Sequence, residues 1–301
     1  KLGRANWKVK GTEAAVNAAE LLYASVAQGD PDPGIHLKAL SGLSWLYYDL
    51  GDMKACLRVD SMALLVAKAN PQLGYNEVAH AYQNIGFDHA SMSNHQLALR
   101  SYLAAKANYE RSEVPPYYDL AECFNGAGVS SWHLGRTRDA ERYYREALTD
   151  LDRSKNANVP LRKAGILSNM GIMWQDAGDI ARCKENYQKA IQLSTIAIDE
   201  FTDPSDRERA ILSRSKGYVN LATVYFSLGD NDRSQQLLDL AFRDRAGIME
   251  PNDPRLIGVR ERMADIAIET GDMERAETYI TEFLEVTAIH FGQQSEDHLR
   301  A

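Results

Sequence analysis

The chain alternates between runs with a regular apolar pattern and short polar breaks. In GVSSWHLGRTRDAERYYREAL, residues 128–148, two such runs flank a Gly-Arg-Thr break. Ala140, Tyr144 and Ala147 in the second run are spaced by four and three residues, which predicts an amphipathic helix. Each run is too short to bury a core alone, so we predict a helical hairpin that needs neighbouring copies of itself.

The same unit recurs along the chain. Its first helix carries a small residue at a position that we call the marker, held by Ser44, Gly86, Gly128, Gly171, Ala222 and Ala264. The intervals between markers are 42, 42, 43, 51 and 42 residues. Seven residues after each marker stand Gly51, Ser93, Gly135, Gly178, Gly229 and Gly271. Residues of one type that recur at the same offset from each marker form a column, and such columns at this period are typical of helical repeat arrays.

Each column has a physical role. A small marker, with Cys56, Ala98, Ala140, Cys183, Ser234 and Ala276 twelve residues after it, allows two helices to approach closely. The glycine column ends the first helix and permits the tight turn before the second. Sixteen residues after the marker stand mostly large side chains: Asp60, Tyr102, Tyr144, Tyr187, Leu238 and Ile280. These large residues are expected to pack against a neighbouring helix.

Gly128, Gly135, Ala140, Tyr144 and Ala147 resemble the small, turn, small, aromatic and small positions of the tetratricopeptide repeat. The 42-residue period is similar to the longer repeats of kinesin light chains and of related bacterial proteins. The resemblance implies an all-α fold, a right-handed α-solenoid of stacked antiparallel helix pairs. Architecture of this kind indicates function only by analogy.

The columns divide the chain into a short N-terminal region and an array. We predict a partial repeat or capping helix over residues 1–36 and the array over 37–301. Its repeats are predicted at 37–71, 77–112, 118–154, 161–200, 208–246 and 255–290, with a partial seventh at 291–301. The nine extra residues of the 51-residue interval predict longer helices flanking a turn at Thr202–Ser205. We expect either a module of a longer protein or an array closed by capping helices.

Composition narrows the function classes. With 45% hydrophobic and 25% charged residues, the chain has the profile of a folded protein. A net charge of −8, from 34 basic and 42 acidic residues, argues against direct nucleic-acid binding. The sequence contains no run of eighteen apolar residues, so we predict no membrane span. Three cysteines without a CxxC pair suit a reducing compartment, so we expect a cytoplasmic location.

The sequence offers no residues for catalysis. The seven histidines form no HExxH motif, and neither a P-loop nor GxSxG is present. Cys56 and Cys183 occupy the same small-residue column as Ala98 and Ala140, so packing explains them. We therefore predict that the chain is not an enzyme and that it needs no cofactor and no metal.

Asparagines recur two residues before the marker, where Asn84, Asn169 and Asn220 stand, with Asn125 one place out of register. First helices usually line the concave binding surface of such arrays. The resemblance to kinesin-light-chain-type repeats implies that these asparagines hold the backbone of a bound peptide, since an amide side chain both donates and accepts. The alternative is that they bond neighbouring helices or face water.

Large side chains on the same helices predict pockets between the asparagines. They are Trp45, Tyr48, Phe87 and Trp132. Exposed aromatic groups of this kind mark partner sites, whereas the alternative is packing into the adjacent repeat. Arg262 lies near a place where related domains grip a carboxylate, but the full clamp is absent. Glu261, Asp265 and Glu269 form an acidic strip beside it.

Three functions remain open. The first is a non-catalytic module that binds an extended peptide or protein segment. The second is a ligand-sensing regulatory domain of a larger bacterial signalling protein, fused to a DNA-binding, cyclase or protease domain. The third is homo-oligomer formation through the end helices.

Overall fold

A computed structural model describes residues 32–251 and 253–291 of the chain. This part is helical, with short connections and without β-strands. Its α-helices are α1 Pro33–Leu50, α2 Met53–Ala69, α3 Tyr75–Ser91, α4 His95–Tyr109, α5 Tyr117–His133, α6 Thr137–Arg153, α7 Val159–Asp176, α8 Ile180–Glu200, α9 Pro204–Ser227, α10 Asn231–Ala246, α11 Ile257–Thr270 and α12 Met273–Phe291. Two short 3-10 turns, Pro71–Leu73 and Pro254–Leu256, precede α3 and α11.

The helices pack as consecutive pairs within two compact units, Lys1–Asn156 and Ala157–Ala301. The odd-numbered, first helix of each pair packs along its even-numbered, second helix. Between pairs, α2 packs on α3 and α4 on α5 in the first unit, and α8 packs on α9 and α10 on α11 in the second. The predicted stacking of helix pairs is therefore confirmed within each unit. The predicted cap before residue 32 and the partial seventh repeat from residue 292 lie outside the described residues.

Tight turns join the two helices of each pair. The glycine column adopts left-handed backbone, with φ between 73° and 78° at Gly51, Gly135, Gly178, Gly229 and Gly271. Ser93 adopts the same conformation at φ 61° without being a glycine. Its turn also keeps the closing hydrogen bond of the others, from the Asn94 amide to the His89 carbonyl at 2.8 Å. The sequence departure in the second repeat therefore leaves the turn geometry unchanged.

The fourth and fifth helix pairs contain the extra residues of the long interval. Helices α8 and α9 have 21 and 24 residues. Asp203 begins α9 by accepting hydrogen bonds from the amides of Ser205 and Asp206 at 2.9 and 3.1 Å. The inserted residues thus lengthen two helices around a capped turn, as the sequence predicts.

Close approach at the marker holds the pairs together. A Cβ atom added to Gly171 would lie 2.5 Å from the ring of Tyr187, sixteen residues later. The corresponding distances are 2.7 Å from Gly128 to Tyr144 and 2.9 Å from Gly86 to Tyr102. All three tyrosines are buried. The small residue of the first helix is therefore required by the ring of the second helix.

We predict that Gly171→Ala lowers the free energy of unfolding by about 1–3 kcal/mol, because the new methyl group overlaps the Tyr187 ring. Gly165→Ala, in the same helix, is the matched control, since nothing lies within 4 Å of its Cβ position. It should raise stability by roughly 0.5–1 kcal/mol. Urea unfolding followed by circular dichroism measures both. Equal effects of the two substitutions would contradict this account of the column.

Candidate functional site

An exposed aromatic cluster, made of Trp45, Tyr48 and Phe87, lies on the first helices of the first unit. The rings of Trp45 and Tyr48 on α1 stack with centroids 5.7 Å apart, and Tyr48 lies 5.6 Å from Phe87 on α3. The exposed fractions of these residues are 66%, 43% and 45%. Three adjacent rings exposed to this degree form an apolar surface that could bind a partner. The structure thus brings together three of the four aromatic residues that the sequence nominates.

Asn84 is exposed on α3, three residues before Phe87, and so lies on the same helix face. Beside it is a cavity of about 490 Å³ between α1, α2 and α3. Its polar wall residues are Lys38, Ser41, Asp60, Glu77, His80 and Asn84. The aromatic cluster, Asn84 and this cavity, which we call the α1–α3 cavity, therefore follow one another along the two helices.

A buried acid pair lies behind the α1–α3 cavity. Asp60 and Asp88 are each 2% exposed. Asp60 accepts a hydrogen bond from the Ser44 hydroxyl at 2.9 Å. Ser44 and Asp60 are the marker and the residue sixteen places later, so in the first pair a serine and a carboxylate occupy the positions of glycine and tyrosine.

The acid pair holds a proton at neutral pH. Burial, and then the neighbouring Asp60 carboxylate, raise the pKa of Asp88 from its ordinary 3.8 to about 8. Burial also raises the pKa of Asp60, while hydrogen bonding to Ser44, Asp88 and Asn84 lowers it. Because more groups favour the charged form of Asp60, Asp88 is the partner that holds the proton.

A polar network links His80 on α3 to α4, the second helix of the same pair. The Tyr109 hydroxyl donates to Oε1 of Gln83 at 2.7 Å and lies 2.7 Å from Nδ1 of His80. The hydroxyl has one proton, so His80 must donate from Nδ1 to the hydroxyl oxygen. Burial raises the pKa of Tyr109, which therefore stays protonated. This network fixes the ring of His80 at the edge of the α1–α3 cavity.

The remaining nominated residues of the first unit lie on α5. Trp132 is half-buried, with its ring centroid 4.4 Å from that of His133. His133 in turn stacks on His95 at 4.2 Å. Asn125 is half-buried and interacts with its neighbours. Both residues are thus held partly within the repeat stack, in contrast to Trp45.

In the second unit, Asn169 on α7 is half-buried and interacts with neighbouring residues. Asn220 on α9 differs, because its buried Nδ2 atom has no hydrogen-bond acceptor among the described residues. Such an orphan donor costs about 1–3 kcal/mol until it is satisfied. Arg262 on α11 is exposed and lies 3.6 Å from Asp265 in an ion pair.

Among residues 32–251 and 253–291, no group of three or more His, Cys, Asp or Glu side chains is placed to hold a metal ion. Over the same residues, none of the helices combines the length and the apolar character of a membrane span.

The family comparison decides the nature of the repeats. Residues 77–152, which contain α3 to α6, match the tetratricopeptide repeat family model. These residues are tetratricopeptide repeats. The resemblance found in the sequence is thereby confirmed, and the stacked pairs of both units have the tetratricopeptide-repeat fold.

Known proteins with this fold are similar over different shares of the chain. Photosystem I assembly protein Ycf3 of Synechococcus sp. (strain CC9902) is 25% identical over 130 residues, which are 43% of this chain and 66% of Ycf3. BtubC (BKLC) from P. vanneervenii is 21% identical, with a TM-score of 0.63 over 81% of this chain and 91% of that one.

The quorum sensor NprR from B. thuringiensis, in its apo form, is 18% identical to this chain. Its TM-score is 0.61 over 98% of this chain and 84% of NprR. A structure of NprR in complex with its cognate peptide NprX gives 19% identity and a TM-score of 0.55 over the same shares. At these identities the likeness establishes the fold.

Sequence reasoning missed the acid pair and the His80 network. One signal was present, because Asp60 is the only charged residue in a column of Tyr, Leu and Ile. Asp88 gave no such signal, since its partner lies 28 residues away on another helix. The joint burial of the two carboxylates follows only from the packing of α3 on α2.

We predict that the acid pair makes the chain less stable as the pH rises from about 4 to about 8. The folded state keeps the Asp88 proton in this range, whereas the unfolded state releases it. Asp88→Asn should flatten this profile, because the amide still offers a donor to Asp60 and does not titrate. At pH 8 it should raise the free energy of unfolding by about 1 kcal/mol or more.

Urea unfolding at a series of pH values measures this effect. Asp49→Asn, which changes an exposed carboxylate of α1, is the control and should keep the native profile. An unchanged slope in Asp88→Asn would show that the pair does not hold the proton.

Proposed function

We propose that this chain is a non-catalytic interaction module that binds an extended peptide segment along the first helices of its repeats. The exposed aromatic cluster of Trp45, Tyr48 and Phe87 is the observation that carries the proposal. Its rings already contact one another in the free chain, so a ligand would lose little entropy in ordering them. Aromatic anchors of this kind dominate the binding energy of protein interfaces.

The amide groups supply the second part of the recognition. Asn84 lies beside the aromatic cluster and is exposed, and its amide also lies near Asp60. In the second unit Asn220 is half-buried, and its side chain would turn outward to offer its unpaired donor to a ligand. A peptide carbonyl would satisfy each amide without reading a side chain, so the asparagines would hold backbone while the rings select apolar residues. Asn125, Asn169, Trp132 and Arg262 remain proposed contributors.

The fold comparisons support a peptide as ligand. NprR shares the fold over 98% of this chain and has been solved with its cognate peptide NprX. Because NprR is a quorum sensor, the same likeness supports a second candidate, a ligand-sensing regulatory domain of a larger signalling protein. The two candidates predict the same bound peptide and differ in whether an output domain responds to it.

The first test is a display of random and proteome-derived peptides against the chain, followed by affinity measurements on the selected motif. We expect Trp45→Ala and Phe87→Ala each to weaken binding about tenfold or more, because an exposed ring that anchors a ligand contributes about 1–3 kcal/mol. Fluorescence anisotropy of a labelled peptide measures the dissociation constants.

Leu65→Ala is the matched control for these variants. Leu65 is 68% exposed, close to the 66% of Trp45, but it lies on the second helix α2. Its loss should leave the affinity unchanged. If Leu65→Ala weakens the peptide as much as Trp45→Ala does, the first-helix face is not the site.

In the second unit we predict that Asn220→Ala weakens a peptide that spans this unit by about fivefold or more, through loss of one hydrogen bond. The stability of the folded chain should not fall, because Nδ2 of Asn220 has no acceptor to lose. Asn186→Ala on the second helix α8, whose Nδ2 donates to the Arg182 carbonyl at 2.8 Å, is the control that should retain affinity. Calorimetric titration and urea unfolding together separate the two effects, and a loss of stability without a loss of affinity would contradict the assigned role.

A further inference from the structure

The first repeat leaves open a position that later repeats fill with a tyrosine ring. Tyr102 packs against Gly86, and Tyr187 packs against Gly171. In the first repeat the corresponding residues are Asp60 and Ser44, and a carboxylate is far smaller than a phenol ring. The α1–α3 cavity of about 490 Å³ opens at this place, with Asp60 in its wall.

The acid pair lacks the donors that two buried carboxylates need. Ser44 donates to Oδ2 of Asp60. Oδ1 of Asp60 and Oδ2 of Asp88 are buried without a partner of good hydrogen-bond geometry among the described residues, and the Asn84 amide lies near Asp60. Buried carboxylates are normally paired or fully hydrogen-bonded. The site is therefore short of positive charge and of donors.

The charged groups around the α1–α3 cavity do not supply this charge. Lys38 on α1 is exposed and forms no ion pair with either carboxylate of the acid pair among the described residues. On α3, Glu77 is a further acid and His80 is held by Tyr109. On α2 the buried thiol of Cys56 lies near both carboxylates, and burial, followed by the charges of Asp88 and Asp60, raises its pKa to about 11. On α4 the buried phenol of Tyr102 lies near Asp88. The wall thus carries two acids, one exposed lysine and one histidine.

We propose that the α1–α3 cavity is a binding site for a cationic side chain, lysine or arginine, of a partner peptide, which enters beside Asn84 and donates to Asp60. An ammonium or guanidinium group carries several donors, and the guanidinium fork fits a carboxylate. The cation replaces the proton held by the acid pair, and the displaced proton leaves Asp88 for solvent. The cationic side chain therefore binds Asp60 more tightly at higher pH, where Asp88 loses its proton more easily.

The position of the cavity defines the peptide motif, and this part rests on the proposed function. Lys38, Ser41, Trp45 and Tyr48 follow each other at helical spacing on α1, and Glu77, His80, Asn84 and Phe87 do so on α3. The α1–α3 cavity lies toward the start of both stripes and the aromatic cluster toward their ends. The preferred segment therefore has a basic residue close to an aromatic or aliphatic one.

The cation site can be tested without any peptide. N-acetylarginine amide is titrated into the isotope-labelled full chain and followed by chemical shifts, with N-acetylcitrulline amide as the neutral ligand of the same shape. We expect saturable shifts around residues 41, 60 and 84 for the arginine compound and binding at least fivefold weaker for the citrulline compound. Equal binding of both, or shifts confined to other residues, would overturn the proposal.

Substitutions then test the carboxylates. Asp60→Asn should weaken the arginine compound at least fivefold, to the level of the citrulline compound. The affinity of the native chain for the arginine compound should rise between about pH 7 and pH 9. This rise should disappear in Asp88→Asn, which keeps His80, so that the rise is assigned to Asp88 and not to the histidine. A native affinity in Asp60→Asn would contradict the site, and a flat pH profile in the native chain would contradict the displaced proton.

A variant that copies residues of the fourth and fifth repeats tests the site in a chain that should still fold. The variant combines Ser44→Gly, Asp60→Tyr and Asp88→Val. These changes give the positions the residues that the fourth and fifth repeats have there, Gly171, Tyr187 and Val224. Asn84 is kept, because Asn220 holds the corresponding position. Circular dichroism should show a native helix content, because this set packs well in the same chain. The variant should not bind the arginine compound, and retained binding would overturn the proposal.

Trp45→Ala separates the two proposals, because it should lose peptide affinity and keep the arginine compound. A chain that binds the arginine compound but enriches no peptide would have the cation site without the proposed function. A chain that binds peptides normally in Asp60→Asn would have the proposed function without the cation site.

Discussion

The close approach of two helices at the marker is the constraint on which the rest of the structure depends. Gly171 has no room for a methyl group, since the Tyr187 ring occupies the place of its Cβ atom. The contact fixes the distance between the helices of a pair and the height at which they cross. A single pair buries few apolar side chains, so its partner helices must come from the next pair. In the second, third and fourth repeats, one glycine and one ring therefore specify both the hairpin and its need for neighbours.

The first repeat shows what happens when this contact is replaced by polar groups. Ser44 and Asp60 keep the helices together through a hydrogen bond of 2.9 Å instead of a packed ring. The exchange costs stability, because two carboxylates become buried and must hold a proton. Here the departure opens a cavity beside exposed aromatic rings. A local loss of packing and a candidate site have the same origin.

The inner helices of the first unit each pack on at least two neighbours and still present a stripe to solvent. Helix α2 packs on α1 and α3, and α3 packs on α2 and α4. Helices α1 and α3 place their solvent-facing aromatic residues next to each other. Trp45, Tyr48, Asn84 and Phe87 lie on these solvent-facing stripes, and this explains why large apolar side chains can stay exposed there without disturbing the core.

The sequence by itself determined the helix pairs, their turns and the columns of small and large residues, because these depend on spacing along one chain. It also nominated Trp45, Tyr48, Phe87 and Asn84, which the tertiary structure places side by side. The sequence did not distinguish binding from packing for Trp45 and Trp132, because exposure depends on the neighbouring repeat. In the structure Trp45 faces outward, while Trp132 is half-buried beside His133. The tertiary structure alone decided the pairing of Asp60 with Asp88. Two carboxylates on different helices affect each other's protonation only after packing has removed the water between them.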